Sequence, residues 1–320
     1  MATDKSSLTI VIPTFQRTDL LVACLKSILR CRSNNHSVVV VDDASPDADP
    51  SRASIAYPEI QVVRLAERSG FCAAANAGIR AAKTPFVQVL NDDTDVIAGW
   101  DQAALTVFRK RPEVAAIAPL ILRWPDGGEI DSAGDAYYVG GIARKRGHGQ
   151  ALAPEFMEPG YVFGASGCGA FYRRNALLDV GGFPEDFGAY FDDVDLSFRL
   201  RHAGHQIWYE PACRILHHGS ASYGRPSGEL LEQQSRNEEW VFWRNVPSQR
   251  MFAAIPKHLA VLAAKAFRRW RCGELLPFLR GRWNAVKDAR AIVSHRRQLQ
   301  ASTTSDTDLQ VANSWWDLGL

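Results

Sequence analysis

The run Val89-Leu90-Asn91-Asp92-Asp93-Thr94-Asp95-Val96 follows an apolar stretch, residues 86–90, that reads as a buried strand. It puts three carboxylates and an amide at the end of that strand. Like charges repel and resist desolvation, so packing gives no reason to gather them there. A divalent cation removes the conflict. Carboxylate oxygens suit Mg2+ or Mn2+, and such an ion keeps positions open for a substrate diphosphate. The plain alternative is an acidic turn that caps the next helix.

Strands and helices alternate around this run. Residues 8–12 are a β-branched strand that Pro13 ends, and Thr18 caps a helix reaching Leu29. Four valines at 38–41 fit a strand buried on both faces. Residues 60–65 read as a strand, 71–82 as a small-residue helix, 100–111 as a helix and 114–122 as a strand. This alternation predicts an α/β fold with a doubly wound, mainly parallel, Rossmann-like sheet, whose ligands sit at the carboxyl ends of the strands. Residues 125–150 are Gly-rich, carry Arg144-Lys145-Arg146, and read as a loop or hairpin region. Residues 161–173 read as one strand, and a short helix ends at Gly181-Gly182. A helix follows Asp193, and 207–209 and 214–216 read as two short strands. From Glu229 the chain is helical, and residues 301–308 read as mobile.

Composition is that of an ordinary globular chain: 320 residues, 46% hydrophobic and 22% charged. The net charge of +2 hides an asymmetry. Residues 251–300 hold eleven Lys/Arg against only Glu274 and Asp288, which suggests a basic module facing something anionic. The six cysteines form no CxxC pair and read as reduced cytosolic thiols. No signal peptide is visible, and no run approaches the ~18 apolar residues of a membrane span.

Four more segments carry chemistry. Thr14 and Arg17, after Val11-Ile12-Pro13, are free to meet a nucleotide, or form a plain strand-to-helix turn. Asp42, ending the valine strand, can accept from a base or ribose hydroxyls, or form an Asx turn with Asp43. Asp192 and Asp193 precede a helix, at the positive end that keeps a carboxylate ionised and fit to act as a general base, or merely cap it. Asp195 is spaced to pair with Arg199. Leu216-His217-His218 ends a late strand, where an imidazole could complete a cation's shell and tilt it toward Mn2+.

Taken in this order, the segments resemble the family 2 glycosyltransferases of GT-A fold, over roughly residues 7–250. They look most like the bacterial rhamnosyl- and galactofuranosyl-type transferases of surface polysaccharide and lipopolysaccharide assembly. The family's opening strand motif matches Val11-Ile12-Pro13-Thr14, and its nucleotide-binding Asp falls on Asp42. Its Gly-Phe-x-x-Ala-x-Asn-x-Gly segment matches Gly70 to Gly78, and its Asp-x-Asp metal motif falls on Asn91-Asp92-Asp93. Its acceptor segment resembles Ser166-Gly167-Cys168-Gly169 onward, and its acidic pair falls on Asp192-Asp193, with the second acid as catalytic base. Its metal-side His falls on His217, with His218 one place away.

The resemblance implies an inverting, metal-dependent transferase. Asp193 is then the base, and Asp93 and His217 hold Mn2+ or Mg2+. Pro13, Thr14, Arg17, Asp42, Asn76, Asn91 and Asp92 bind the donor, while Gly167, Cys168 and Asp192 line the sugar or acceptor pocket. The donor implied is TDP-rhamnose or a UDP-sugar, and the acceptor a hydroxyl of a glycan or lipid-linked glycan. The implied domains are a catalytic unit over 1–225, with a nucleotide-sugar half (1–95) and an acceptor half (96–225), then a basic helical extension (226–300) and a mobile tail (301–320). A nucleotidyltransferase is a rival, but its Gly-rich loop after the first strand is missing from Pro13 to Arg17. A non-catalytic sugar-binding relative is another, yet it would lose the acids that are present here. No nucleic-acid partner is implied. Leu259, Leu262, Ala266 and Trp270 share one helical face and Lys265, Arg268 and Arg269 another. Such a helix lies on an anionic membrane surface, or packs its apolar face on the catalytic unit. The expected location is cytoplasmic, peripheral on the inner face of the membrane.

Overall fold

The computed structural model describes residues 7–33, 36–46, 59–219, 227–302 and 310–314. One mixed sheet of ten strands organises it. Strand β1 (Leu8–Thr14) lies at its centre, between the parallel strands β2 (Ser37–Asp42) and β4 (Phe86–Val89). Strand β3 (Ile60–Arg64) extends β2 in parallel. Beyond β4 come the antiparallel β11 (Phe171–Arg173), then β6 (Val114–Arg123) and β12 (Gln206–His217), which run parallel to each other. The mainly parallel α/β sheet expected from the sequence is the one found.

Both faces of the sheet are covered. Helices α1 (Thr18–Cys31) and α3 (Trp100–Lys110) pack on Leu8, Ile10, Ile12, Val38 and Val40. Helix α2 (Phe71–Ala81) meets Val11, Val39 and Val41 through Ala74 on the other face. Neighbours in a strand point to opposite faces, so the valine run feeds both cores. A Cβ on Gly78 would sit 2.3 Å from Val11 Cγ1, which is why α2 carries glycine where it crosses β1.

The order of strands reverses between β1 and β4. Helix α1 follows β1 and leads outward to β2, while α2 leads back from β3 to β4. A crevice opens at such a switch point, outside the carboxyl ends of the strands. Thr14 and the Asn91-Asp92-Asp93 turn stand there.

Several local expectations are corrected. Pro13 does not end β1 but pairs with Val41. Its missing N–H faces the β4 side, where the ladder has already stopped at Val11 and Val89, so no bond is lost. Thr18 is the first helical residue and does not cap α1. Residues 161–173 are not one strand. Strand β10 (Gly160–Tyr161) pairs with β12 and β11 with β4 and β6, while between them Gly164 only bridges Asp135 and residues 167–169 turn along the crevice. The two strands read near 207–216 are the single β12, irregular between Glu210 and Arg214 around Pro211.

Two short strands were not foreseen. Strand β5 (Thr94–Val96) pairs Thr94 with His217, and β7 (Ile130–Ser132) pairs with β6. A hairpin of β8 (Asp135–Tyr138) and β9 (Ile142–Lys145) follows.

Helix α4 (Arg174–Asp179) leads to α5 (Asp192–His202). The C-terminal helices are α6 (Gly228–Asn245), α7 (Ser248–Arg271), α8 (Leu275–Lys287) and α9 (Ala289–Ser302). Phe187, Val194 and Phe198 share one core with Trp240, Phe242 and Ala285, which ties α5, α6 and α8 together. Of the tail expected to be mobile from 301, residues 301–302 belong to α9 and residues 310–314 are described, with Ala312 bridging Tyr138. Residues 303–309 and 315–320 lie outside the described residues. Among the described residues no helix is long and apolar enough to cross a membrane.

Candidate active site

The crevice is a cavity of about 830 Å³. At its sheet end, Thr14 Oγ1 donates to Asp92 Oδ2 at 2.7 Å. Arg17 reaches both Asp92 (3.3 Å) and Asp93 (3.5 Å). Asn91 N–H donates to Cys168 O at 2.9 Å, which fastens the acidic turn to the turn before β11. Burial pushes Asp92 up to about 6, against Thr14 and Arg17. Burial acts on Asp93 too, but His217 and Arg17 prevail and hold it below the usual carboxylate value.

Pairing of β5 with β12 brings His217 to this turn. Its Nε2 lies 3.3 Å from Asp93 Oδ1, and its Nδ1 lies 3.1 Å from Asp131 Oδ2 on β7. Asp131 also takes Lys145 Nζ at 2.9 Å. Against burial, Cys168, Asp131 and Asp93 push His217 up to about 12. His218 points elsewhere, stacking on Trp124 and reaching only Asp95. Asp93 Oδ1 is buried, and among the described residues it meets His217 Nε2 at 3.3 Å without a well-formed hydrogen bond. Such an oxygen beside an imidazole nitrogen fits a divalent cation of the Mn2+ type. Among the described residues no group of three or more His, Cys, Asp and Glu could hold a metal. An ion here would therefore complete its shell with substrate oxygens and water.

At the other end stand Asp192 and Asp193. Both lie within the first turn of α5, where Asp193 is half-buried and Asp192 buried. Asp193 Oδ2 accepts Gly167 N–H at 3.0 Å, and Oδ1 accepts Val194 N–H at 2.9 Å. The helix terminus is not the only influence on Asp193. Burial pushes its pKa up, while Gly167, Lys145 and Val194 act the other way. Asp192 is pushed well above its ordinary value by burial and by Asp193. The Asp195–Arg199 pair expected from spacing forms at 2.7 Å.

The backbone before Asp192 is strained. Tyr190 (φ +69°) and Phe191 (φ +63°) are both left-handed, a cost of about 1–3 kcal/mol each. Helix α6 holds them. Asn237 Nδ2 lies within hydrogen-bond distance of Phe187 O (3.0 Å), Ala189 O (2.9 Å) and Tyr190 O (3.0 Å). Gln233 Nε2 adds a bond to Phe187 O at 2.8 Å.

The structure brings Pro13, Thr14, Arg17, Asn91, Asp92 and Asp93 to the cavity wall, together with Gly167, Cys168, Asp192, Asp193 and His217. It does not bring Asn76 or Asp42. Asn76 Nδ2 donates to Phe183 O (2.8 Å) and Glu185 Oε1 (2.9 Å), and its Oδ1 accepts Phe183 N–H (2.8 Å). It clamps α2 to the Gly182-Phe183 turn. Asp42 is fully buried, accepting Ser45 N–H at 3.1 Å beside Arg64. Asp43 lines the cavity instead, accepting Ser69 and Gly70 N–H at 2.7 and 2.9 Å. The sequence reading missed Phe15, Arg68, Asp135, Arg144 and Lys145, all on the wall. The Arg144-Lys145-Arg146 triplet was the visible signal for the last two. Asp135 is pushed up to about 8 by burial and by the charge of Asp193.

Residues 9–181 match the sequence profile of Glycosyl transferase family 2. An N-acetylglucosaminyl-diphospho-decaprenol L-rhamnosyltransferase of Mycobacterium tuberculosis is 30% identical over 246 residues, covering 70% of this chain and 80% of the relative. An uncharacterized protein of Sinorhizobium fredii is 30% identical over 72% of this chain, which spans only 26% of that longer relative. A mannosyltransferase from Pyrobaculum calidifontis, solved with GDP-Man and Mn2+, shares the fold with a TM-score of 0.54. It is 20% identical and covers 92% of this chain and 85% of its own. The profile ends at residue 181, so Asp193 and His217 lie beyond it.

Proposed function

Because this chain belongs to glycosyl transferase family 2 and is an enzyme, we propose that it draws on a nucleotide-activated sugar and transfers the glycosyl group with inversion inside the 830 Å³ cavity. One observation carries this reading. A single cavity holds a carboxylate fixed by two backbone N–H groups, Asp193, and a carboxylate–imidazole pair, Asp93 and His217.

Pro13, Thr14, Arg17, Asn91 and Asp92 surround the nucleotide, and Arg68, Arg144 and Lys145 add positive charge for phosphates. Gly167, Cys168 and Asp192 line the sugar and acceptor side. Asp193 takes the proton of the acceptor hydroxyl as its oxygen attacks the anomeric carbon, opposite the departing diphosphate. Asp93 and His217 would hold Mn2+ or Mg2+, which neutralises charge on the leaving group. The TDP-rhamnose donor is favoured over a UDP-sugar by the rhamnosyltransferase relative. That relative's name also supports a lipid-linked acceptor.

The test is transfer or hydrolysis of TDP-rhamnose and UDP-sugars with Mn2+, Mg2+ or chelator. Asp193→Asn keeps the shape and removes the base, so turnover is expected to fall by roughly 10²–10⁴-fold, while nucleotide still raises the melting temperature. Asp93→Ala is expected to abolish the metal-dependent part of that rise. Full turnover after exhaustive chelation removes the metal from the reading, and full turnover in Asp193→Asn removes the base.

A further inference from the structure

Large exposed apolar side chains gather on α7 and α8. Phe252 is 93% exposed, Trp270 63%, Trp283 62% and Leu259 60%. On α7, Phe252, Pro256, Leu259, Ala263, Phe267 and Trp270 are all exposed and recur every three or four residues. That spacing makes one stripe along a 24-residue helix. On α8, Leu276, Leu279, Trp283 and Val286 form a second stripe, away from Phe278, Gly281 and Ala285, which are buried. Single exposed apolar residues need no explanation, but contiguous ones mark a contact surface.

The cations divide in a way the helical wheel did not foresee. Lys265 and Arg269, placed with Arg268 on one basic face by the helical wheel, turn to Glu238 and Glu274. Leu262 and Ala266, expected on the apolar face, are half-covered. Arg268, Arg271 and Arg280 stay exposed beside the stripes, with no ion pair among the described residues. Of the two acids in residues 251–300, Glu274 already serves Arg269. A second copy docking through this surface would set one basic face against another. An anionic bilayer satisfies both features, with acyl chains for Trp and Phe and headgroups for Arg.

We propose that the outer faces of α7 and α8 dock on the surface of an anionic lipid bilayer. This goes beyond the glycosyltransfer reading and stands without it. Helix α8 packs on α6, whose Leu230 and Gln233 line the cavity, so docking would hold the cavity one helix away from the lipid.

The experiment is co-sedimentation of the full chain with phosphatidylcholine vesicles, with and without phosphatidylglycerol. Melting temperatures and size-exclusion profiles are taken alongside. Binding is expected to the anionic vesicles. Arg268→Gln/Arg271→Gln/Arg280→Gln is expected to weaken it roughly a hundredfold, each cation contributing about fivefold. Phe267→Ser/Trp270→Ser/Trp283→Ser is expected to lose it, with an unchanged melting temperature because the three side chains are exposed. The proposal is overturned by no sedimentation with anionic vesicles, by equal binding to neutral ones, or by wild-type binding in both variants. A dimer that the aromatic variant turns into a monomer would assign the face to a second copy instead.

Discussion

At Asp193, two backbone N–H groups and the Lys145 cation work against burial. As the proposed base, Asp193 must be ionised to accept a proton, so on this reading its pKa sets the acid limb of the rate profile. Removing the cation in Lys145→Met raises that pKa further. The acid limb of kcat is therefore expected to move to higher pH, as a pH-rate series on wild type and variant would show. An unmoved limb would mean that turnover does not sense Asp193. Residues at this scale were legible in the sequence when local order fixed their place. Asp92 and Asp93 follow a strand directly, and His217 ends one. Asp131, Asp135 and Lys145 were not, because they lie on short strands of a Gly-rich region whose register no periodicity sets. Asn76 misled for another reason. An amide suits a ligand and a turn equally, and only Gly182 opposite, where a Cβ would sit 2.4 Å from Asn76 Oδ1, shows which it serves.

The elements of the donor side were legible because both faces of β1, β2 and β4 are buried, and uninterrupted apolar runs announce such strands. The acceptor side was not. Between 161 and 173, Gly164, Gly167 and Gly169 break an apolar stretch into a bridge and a turn. Around 207–216 a bulge at Pro211 splits one strand into two apparent ones. The Gly70–Gly78 segment allowed either a ligand or the sheet to come close, and Gly78 answers for the sheet. In Gly78→Ala the new methyl would lie 2.3 Å from Val11 Cγ1 and 3.0 Å from Val41 Cγ2. Overpacking costs about 1–3 kcal/mol, and better helix propensity returns roughly 1 kcal/mol of it. The melting temperature is expected to fall by several degrees, at about 2–4 °C per kcal/mol for a chain of this size. A variant as stable as wild type would show that α2 can lift off β1 without cost.

Across the whole molecule, the C-terminal helices reach the cavity, through Leu230 and Gln233 of α6, as well as the surface. A helical wheel separates faces but does not tell which face docks. Glu238 and Glu239 on α6 decide that here by drawing Lys265 and Arg282 inward. Asn237→Ala tests how far this region governs the base. Loss of its bonds frees the left-handed Tyr190 and Phe191 to relax, and misplacing a catalytic group by ~1 Å can cost 10²-fold. Turnover is expected to fall about 10–100-fold with nucleotide affinity unchanged, measured by kinetics and by titration. Equal losses in both would instead mean general unfolding. The same clamp has a consequence in time. Asn237 is translated 47 residues after the Tyr190 carbonyl it secures, roughly 2–9 s later at about 5–20 residues per second. A nascent chain, or one ended before residue 237, therefore completes β1 to β4 before the proposed base is set, and on this reading stays silent until Asn237 has followed.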